Sequence, residues 1–205
     1  MADDVTASEL RILGCLIEKQ RTTPDTYPLS LNSLRLACNQ STNRDPVVDY
    51  DEATVREAAQ RLSRRGWARL ASRGGRTVKY RHLADQALGL GEDEISVMAV
   101  LMLRGPQTPG ELKQRADRMY GFADLDEVHL TLERLIERDF AIDRGRQPGQ
   151  KETRYEQTLG SAPESPDPEP SVEPAGAPEP DRIAALEQEI AQLRSELAEL
   201  RSLLQ

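Results

Sequence analysis

Between Arg56 and Arg81 the chain carries nine cationic side chains, Arg56, Arg61, Arg64, Arg65, Arg69, Arg73, Arg76, Lys79 and Arg81, against a single acid, Glu57. Side chains of this kind at this density bind phosphate, and Arg, Lys and Gln can also reach base edges in a DNA groove. The residues needed for catalysis are not assembled in the same way. His82 and His129 are the only histidines, and neither has a partner at metal-ligand spacing. Cys15 and Cys38 stand 23 positions apart with no CxxC pair, so they read as small core residues. No nucleophile with a base, no paired carboxylates and no phosphate-cradling glycine loop can be found, since Gly74-Gly75 and Gly89-Leu90-Gly91 read as turns. The expectation is a protein that binds, without enzymatic activity, metal or cofactor.

The elements that position the cations are written twice. Val55, Ala59, Leu62, Arg65, Gly66 and Trp67 recur at a constant offset of 73 as Val128, Leu132, Leu135, Arg138, Asp139 and Phe140. Upstream, Leu10, Leu13, Leu16 and Ile17 align at an offset of 85 with Ile95, Met98, Leu101 and Met102, and Thr23-Pro24 falls on Thr108-Pro109. Apolar residues at three- and four-residue spacing give helices with one buried face. Each third helix runs into a strand, a basic turn and a second strand, at Val78 to His82 and at Thr153 to Gln157. Helices followed by a two-stranded ribbon read as a winged helix, here in tandem. Thr6 with Glu9 and Thr108 with Glu111 have capping-box spacing, and Asp49 or Asp51 and Asp124 offer starts for the third helices. The first middle helix is expected from Leu31 to Cys38 and its counterpart from Glu111 to Met119.

With Val55, Ala59 and Leu62 turned inward, the wheel directs Arg56, Gln60, Arg61 and Arg64 to solvent, and the Gly74-Gly75 turn projects Arg73, Arg76 and Lys79. A winged helix places its third helix in the major groove and its wing on the neighbouring backbone or minor groove. These seven residues are therefore the expected DNA-binding set. The bland alternative is a solvated basic face, or one that complements acidic parts of the chain. The loop from Asn39 to Tyr50 is longer than a helix-turn-helix needs. Arg44, Asn39, Gln40 and Asn43 there could contact a phosphate or a partner, or Val47, Val48 and Tyr50 could simply pack the loop down.

Charge differs by segment. Residues 1 to 90 are net +3, residues 91 to 159 net -4 and residues 160 to 205 net -7, within a total of -8. The second copy shows Glu127, Glu133 and Glu137 on its third helix, although Arg144, Arg146 and Lys151 remain at its wing. That copy is expected to bind protein, or the first copy, rather than DNA by its helix.

Residues 160–180 hold seven of the thirteen prolines and read as a disordered Pro/Glu-rich linker, at most about 65 Å long at ~3.1 Å per residue. Beyond it Ile183, Leu186, Ile190, Leu193, Leu197, Leu200 and Leu204 form a heptad seam. Ile predominates at a and Leu occupies d, and the g-to-e pairs Arg182 with Glu187, Glu189 with Arg194 and Glu196 with Arg201 are complementary, a pattern that favours a parallel homodimer. A lone amphipathic helix packed on its own chain is the other reading. With a mean hydropathy of -0.62, no long apolar run and no signal-like N-terminus, the protein is expected in the cytoplasm, away from the membrane.

The string LGCLIEKQRTTPDTYPLSLN from Leu13 to Asn32, ACNQ from Ala37, NRDPV from Asn43 and YDEATV from Tyr50 closely resemble the YceH family of bacterial proteins. KYRH from Lys79, LMLRGPQTPGEL from Leu101 and RQPGQKE from Arg146 do so too, and the resemblance runs from about Ser8 to Leu159. It implies two winged-helix domains and often a C-terminal coiled segment, and it carries no activity and no site residue. The expected fold is mainly α with small β-hairpins (α+β). Winged-helix domain 1 takes residues 1–88, domain 2 residues 89–159, the linker 160–180 and the coiled coil 181–205. The expected function is a dimeric transcriptional regulator that binds double-stranded DNA through domain 1. The alternative is a tandem winged-helix adaptor, similar in architecture to chromosome-condensation subunits, that binds protein and not DNA.

Overall fold

The computed structural model describes residues 5–71, 78–146 and 152–160. The expected coiled coil, nearly all of the linker, and Arg73, Arg76 and Lys151 lie outside the described residues. The fold is mixed α and β, with seven α-helices and small antiparallel sheets among the described residues. In order they are α1 (Ala7–Thr22), β1 (Leu29–Ser30), α2 (Leu31–Cys38), α3 (Glu52–Arg64), β2 (Ala68–Ala71), β3 (Lys79–His82), α4 (Ala84–Leu88), α5 (Glu92–Arg104), α6 (Pro109–Ala116), α7 (Leu125–Glu137), β4 (Ala141–Asp143) and β5 (Tyr155–Gln157). The first sheet has the order β1-β3-β2 and the second pairs β4 with β5. Among the described residues no helix is long and apolar enough to cross a membrane.

Three helices followed by an antiparallel ribbon occur twice, and the equivalences extend beyond the apolar pattern. Both α3 and α7 have 13 residues and begin on an Asp cap, Asp51 accepting from the Thr54 amide at 2.7 Å and Asp124 from the Glu127 amide at 2.9 Å. After each helix the chain turns through a left-handed residue, Gly66 at φ 76° and Asp139 at φ 58°. Ala68 then pairs with His82, and Ala141 with Gln157. The short β1 was not foreseen in the sequence, and its counterpart is a single bridge from Gln107 to Tyr155.

The alignment around the second helices needs correction. Ser30 caps α2 and Thr108 caps α6, so the offset there is 78, not 85. Thr23-Pro24 instead opens a 3-10 turn, Pro24–Thr26, which belongs to a seven-residue insertion in the first copy. For the same reason α6 starts at Pro109, the first position after its cap, and ends at Ala116, short of Met119.

A matched polar lock closes each copy. The Thr6 amide donates to the Glu9 carboxylate at 3.0 Å, and Arg65 reaches the other Glu9 oxygen at 3.0 Å while its guanidinium lies 5.8 Å over the Trp67 ring. In the second copy the Gly91 amide donates to Glu94 at 2.8 Å, Arg138 meets Glu94 at 3.2 Å and lies 5.1 Å over Phe140. Glu9 is fully buried. Burial on its own would push its carboxyl up, but the Thr6 amide and hydroxyl and the Arg65 guanidinium outweigh burial and hold it below the ordinary value.

The two copies share one core through α1 and α5. Ile12, Leu13, Cys15, Leu16 and Ile17 are buried in succession on α1, and Val97 through Leu103 on α5, so neither helix keeps a polar face over that stretch. Burying each Leu or Ile contributes about 1.5–3 kcal/mol. Gly14 allows the close approach, because a methyl group there would lie 2.8 Å from Leu103 Cγ and 3.3 Å from Met102 Cβ. Gly110 in the first turn of α6 has open space, its nearest neighbour being the Thr108 hydroxyl at 4.0 Å. Gly14→Ala is therefore expected to destabilise the protein by about 1–3 kcal/mol through overpacking, despite the better helix former. Gly110→Ala is expected to be neutral or stabilising by up to about 1 kcal/mol. Urea unfolding of both variants checks the opposite signs.

Candidate nucleic-acid interface

The outward face of α3 follows from what it buries. Val55, Ala58, Ala59 and Leu62 are turned into the core, which leaves Arg56, Gln60 and Arg64 exposed. Arg61 is half-buried rather than fully outward, its Nε enclosed and its Nη2 3.4 Å from Glu57. Arg56 pairs with Glu52 one turn back, and Arg64 has no acidic partner among the described residues. Exposed pairs of this kind contribute about 0.3–0.5 kcal/mol each, so a phosphate can displace them at small cost.

Beside the expected Lys79, the ribbon next to α3 adds Arg69 and Arg81, which lie outside the expected DNA-binding set. Ala68, Tyr80 and His82 point inward, so alternation puts Arg69, Lys79 and Arg81 on the other face, with Lys79 and Arg69 exposed. Arg69 sits directly opposite Arg81 across the strands. Like charges in that position destabilise a ribbon, so the pair serves no purpose internal to the sheet. The strand alternation was the signal that could have found both arginines. A groove of about 570 Å³ opens between α3, the start of α2 and the ribbon, lined by Leu31, Arg56, Gln60, Leu70, Val78 and Tyr80. Leu70 and Val78 are about half exposed, at 51% and 46%.

On the second copy the same positions are altered. His129, Glu133 and Glu137 replace Arg56, Gln60 and Arg64, and all three are exposed. Arg134, the counterpart of Arg61, is drawn to Asp93 and Glu94 at the start of α5. Arg144 pairs with Glu156 across the second ribbon.

The long loop before α3 is tied down, and its polar residues do the tying. Arg44 is buried and donates to the carbonyls of Ala37 at 3.0 Å and Asn43 at 2.7 Å and to the Gln40 side chain at 3.0 Å, with Glu18 at 2.7 Å. Asn39 bonds the Tyr50 amide and carbonyl, each at 2.9 Å, and the Asp45 amide reaches the Leu103 carbonyl at 2.9 Å. Val47 is exposed, so it is not the residue that packs the loop.

A family described as "Protein of unknown function, DUF480" matches residues 5–150, which cover the first copy and the second short of β5. The chain belongs to this family. DUF480 relatives include a UPF0502 protein of Koribacter versatilis, 50% identical over 185 residues, 88% of this chain and 86% of the relative. A UPF0502 protein of Geotalea uraniireducens is 49% identical over 189 residues, 89% and 86% of the two chains. YceH belongs to the same DUF480 family of uncharacterised bacterial proteins, as the strings around Leu13 and Leu101 implied. Membership supplies no site, so the geometry of this DUF480 chain has to do so.

Two features singled out in the sequence take structural roles in this DUF480 fold. Cys15 and Cys38 are free and buried against one another. Burial alone would raise Cys15, but the Cys38 hydrogen bond and the Arg44 and Arg11 guanidiniums bring it below the ordinary thiol value, while Cys38 is raised by its bond to Cys15 and by burial. His82 is buried at 3% exposure on β3, with Nε2 on the Gln20 side chain and its amide donating to the Tyr27 hydroxyl at 2.7 Å. Burial pushes its imidazole down from 6.5 to about 4; Asp85 opposes the shift, and Arg21 and Arg81 add to it. The unfolded chain therefore takes up a proton near pH 6.5 that the folded chain refuses until about 4, and stability falls as pH drops through that window. The full loss is about 3 kcal/mol. Gln157 holds the equivalent place in the second copy, which makes His82→Gln a conservative exchange. Urea unfolding at pH 7 and near 4.5 is expected to show a loss of about 2 kcal/mol in the wild type and a markedly smaller one in His82→Gln. Equal losses would contradict the assignment.

Proposed function

We propose that the protein is a cytoplasmic, non-enzymatic DNA-binding protein, a dimeric transcriptional regulator, whose first copy contacts double-stranded DNA through α3 and the following ribbon. In this reading residues 1–88 and 89–159 are two winged-helix domains, and the heptad seam from Ile183 to Leu204 joins two chains as a parallel coiled coil. The observation that carries it is the contrast between equivalent helices. Exposed α3 positions hold Arg56, Gln60 and Arg64 where α7 holds His129, Glu133 and Glu137, although both helices bury the same four positions. Fold maintenance accounts for those buried positions and leaves the cations to a ligand. Arg69, Lys79 and Arg81 add further positive charge on the outer face of the adjoining ribbon.

A second reading, a tandem winged-helix adaptor that binds protein segments without DNA, is favoured by the apolar lining of the groove beside α3. Leu70 and Val78 there, and Leu130 and Ile142 on the acidic second copy, are exposed at 46% to 55%. Phosphate does not use such surface, whereas a peptide does.

Fluorescence anisotropy of labelled random and genomic duplexes with the full chain separates the two. DNA contact predicts binding whose log affinity falls with log salt by about 0.9 per phosphate neutralised. Replacing Arg56, Arg64 and Lys79 by Gln is expected to flatten that slope by about 2–3. Glu133→Gln on α7 should leave it unchanged. Equal weak binding by all three proteins would reject the DNA reading in favour of the adaptor.

A further inference from the structure

A cavity of about 320 Å³ lies between the two copies, away from α3 and its ribbon, and its walls carry Glu18, Arg44, Arg104, Gln114, Arg115 and Arg118. Four guanidiniums face one carboxylate. That carboxylate is committed, because Glu18 lies 2.7 Å from Arg44. Arg44 itself is held by the Ala37 and Asn43 carbonyls and by Gln40, so it is a fixed positive wall and not a mobile hand. Arg104 donates to the Asn43 side chain, a neutral partner, with no acid paired to it among the described residues. Arg115 lies 3.3 Å from Glu111, which also serves Arg154 at 2.8 Å. Arg118 is exposed and has no acidic partner among the described residues.

The excess charge is local. A neighbouring cavity of about 280 Å³ shares Arg104 and Arg115 but balances them and Arg154 with Asp45, Glu111 and Glu156. Arg104 ends α5, and Arg115 stands with Lys113 in the last turn of α6, where cations complement the helix dipole. Arg44 caps the Ala37 carbonyl in the last turn of α2, and Arg118 follows the cap of α6 as a further cation. Burial, then the Arg115 and Arg44 charges, push the Arg104 guanidinium below its ordinary value while Asp45 and Glu111 oppose the shift, so Arg104 feels repulsion from the arginines that share its cavity. An anion relieves it.

We propose that this cavity binds a small phosphorylated molecule carrying at least two negative charges, held by Arg104, Arg115 and Arg118. Planar guanidinium forks match phosphate oxygens in pairs, and the volume is at the lower end of small-ligand sites, enough for a diphosphate group and little more. Glu18 and Arg44 come from the first copy and the other arginines from the second, so the ligand is held by the second copy against a wall of the first. That position suits an effector. It uses none of the α3 residues and stands or falls separately from DNA binding.

Inorganic pyrophosphate, titrated calorimetrically into the full chain in metal-free buffer at physiological salt, is the test. One saturable site per chain is expected, with a raised thermal midpoint. Arg118→Gln, at an exposed position, and Arg104→Gln should each weaken binding by about tenfold or more. Arg64→Gln on α3 should bind as the wild type does, which separates this site from the proposed DNA face. No saturable heat at millimolar pyrophosphate would overturn the proposal, as would equal weakening by Arg64→Gln, the mark of non-specific charge attraction.

Discussion

The packing of α1 on α5 is the constraint from which the rest of the described structure follows. Each helix is the first of its copy, and each is buried over two or more turns, so neither copy can satisfy its own leading helix alone. Gly14 lets the two backbones close over Leu103 and Met102. Once they are joined, the matched carboxylates Glu9 and Glu94 at the starts of these helices draw in Arg65 and Arg138 and fix the path from each third helix into its ribbon. Removing one member of such a lock leaves an uncompensated buried charge, which costs more than the pair contributes. The loop from Asn39 to Tyr50 is bound into the same junction through Asp45 and the Leu103 carbonyl.

A duplicated frame of this kind frees the exposed positions to diverge. Inward residues of α3 and α7 match apart from Thr131 at the place of Ala58, whereas the outward Arg56, Gln60 and Arg64 give way to His129, Glu133 and Glu137, and Arg134 turns back to the acids of α5 where Arg61 stays with its own helix. One copy thus presents cations and the other acids on an otherwise common scaffold. The proposed division of labour, DNA at the first copy and a protein, or the first copy itself, at the second, rests on that divergence. The arginine-lined cavity lies at the junction and draws on both copies.

Much of this frame was legible in the sequence because period and capping are local. The offset of 73 carried α3 and α7 to their ends, and the Thr6-Glu9 and Thr108-Glu111 spacings marked real helix starts. The offset of 85 misled at Thr23-Pro24, since a Thr-Pro pair opens a 3-10 turn as readily as an α-helix, whereas the apolar spacing of Leu31, Leu34 and Cys38 had placed the second helix of the first copy correctly at Leu31–Cys38. The expected α3 face emerged with Arg61 half withdrawn. Arg44 was read as a possible ligand contact, yet it is the buried tie of its loop, a role that depends on Glu18 and Ala37 brought near by tertiary packing. The cavity arginines were invisible for the same reason: Arg44, Arg104 and Arg118 are far apart in sequence and meet only across the α1–α5 junction.

The central claim is that DNA meets the first copy and not the second. Amide chemical-shift mapping of the full chain titrated with duplex DNA tests it residue by residue. Contact at the proposed face predicts perturbations concentrated on the exposed side of α3, at Arg56, Gln60 and Arg64, and on Lys79 to Arg81, with α7 silent. Shifts centred on α7, or no saturable shifts at either helix, would contradict it.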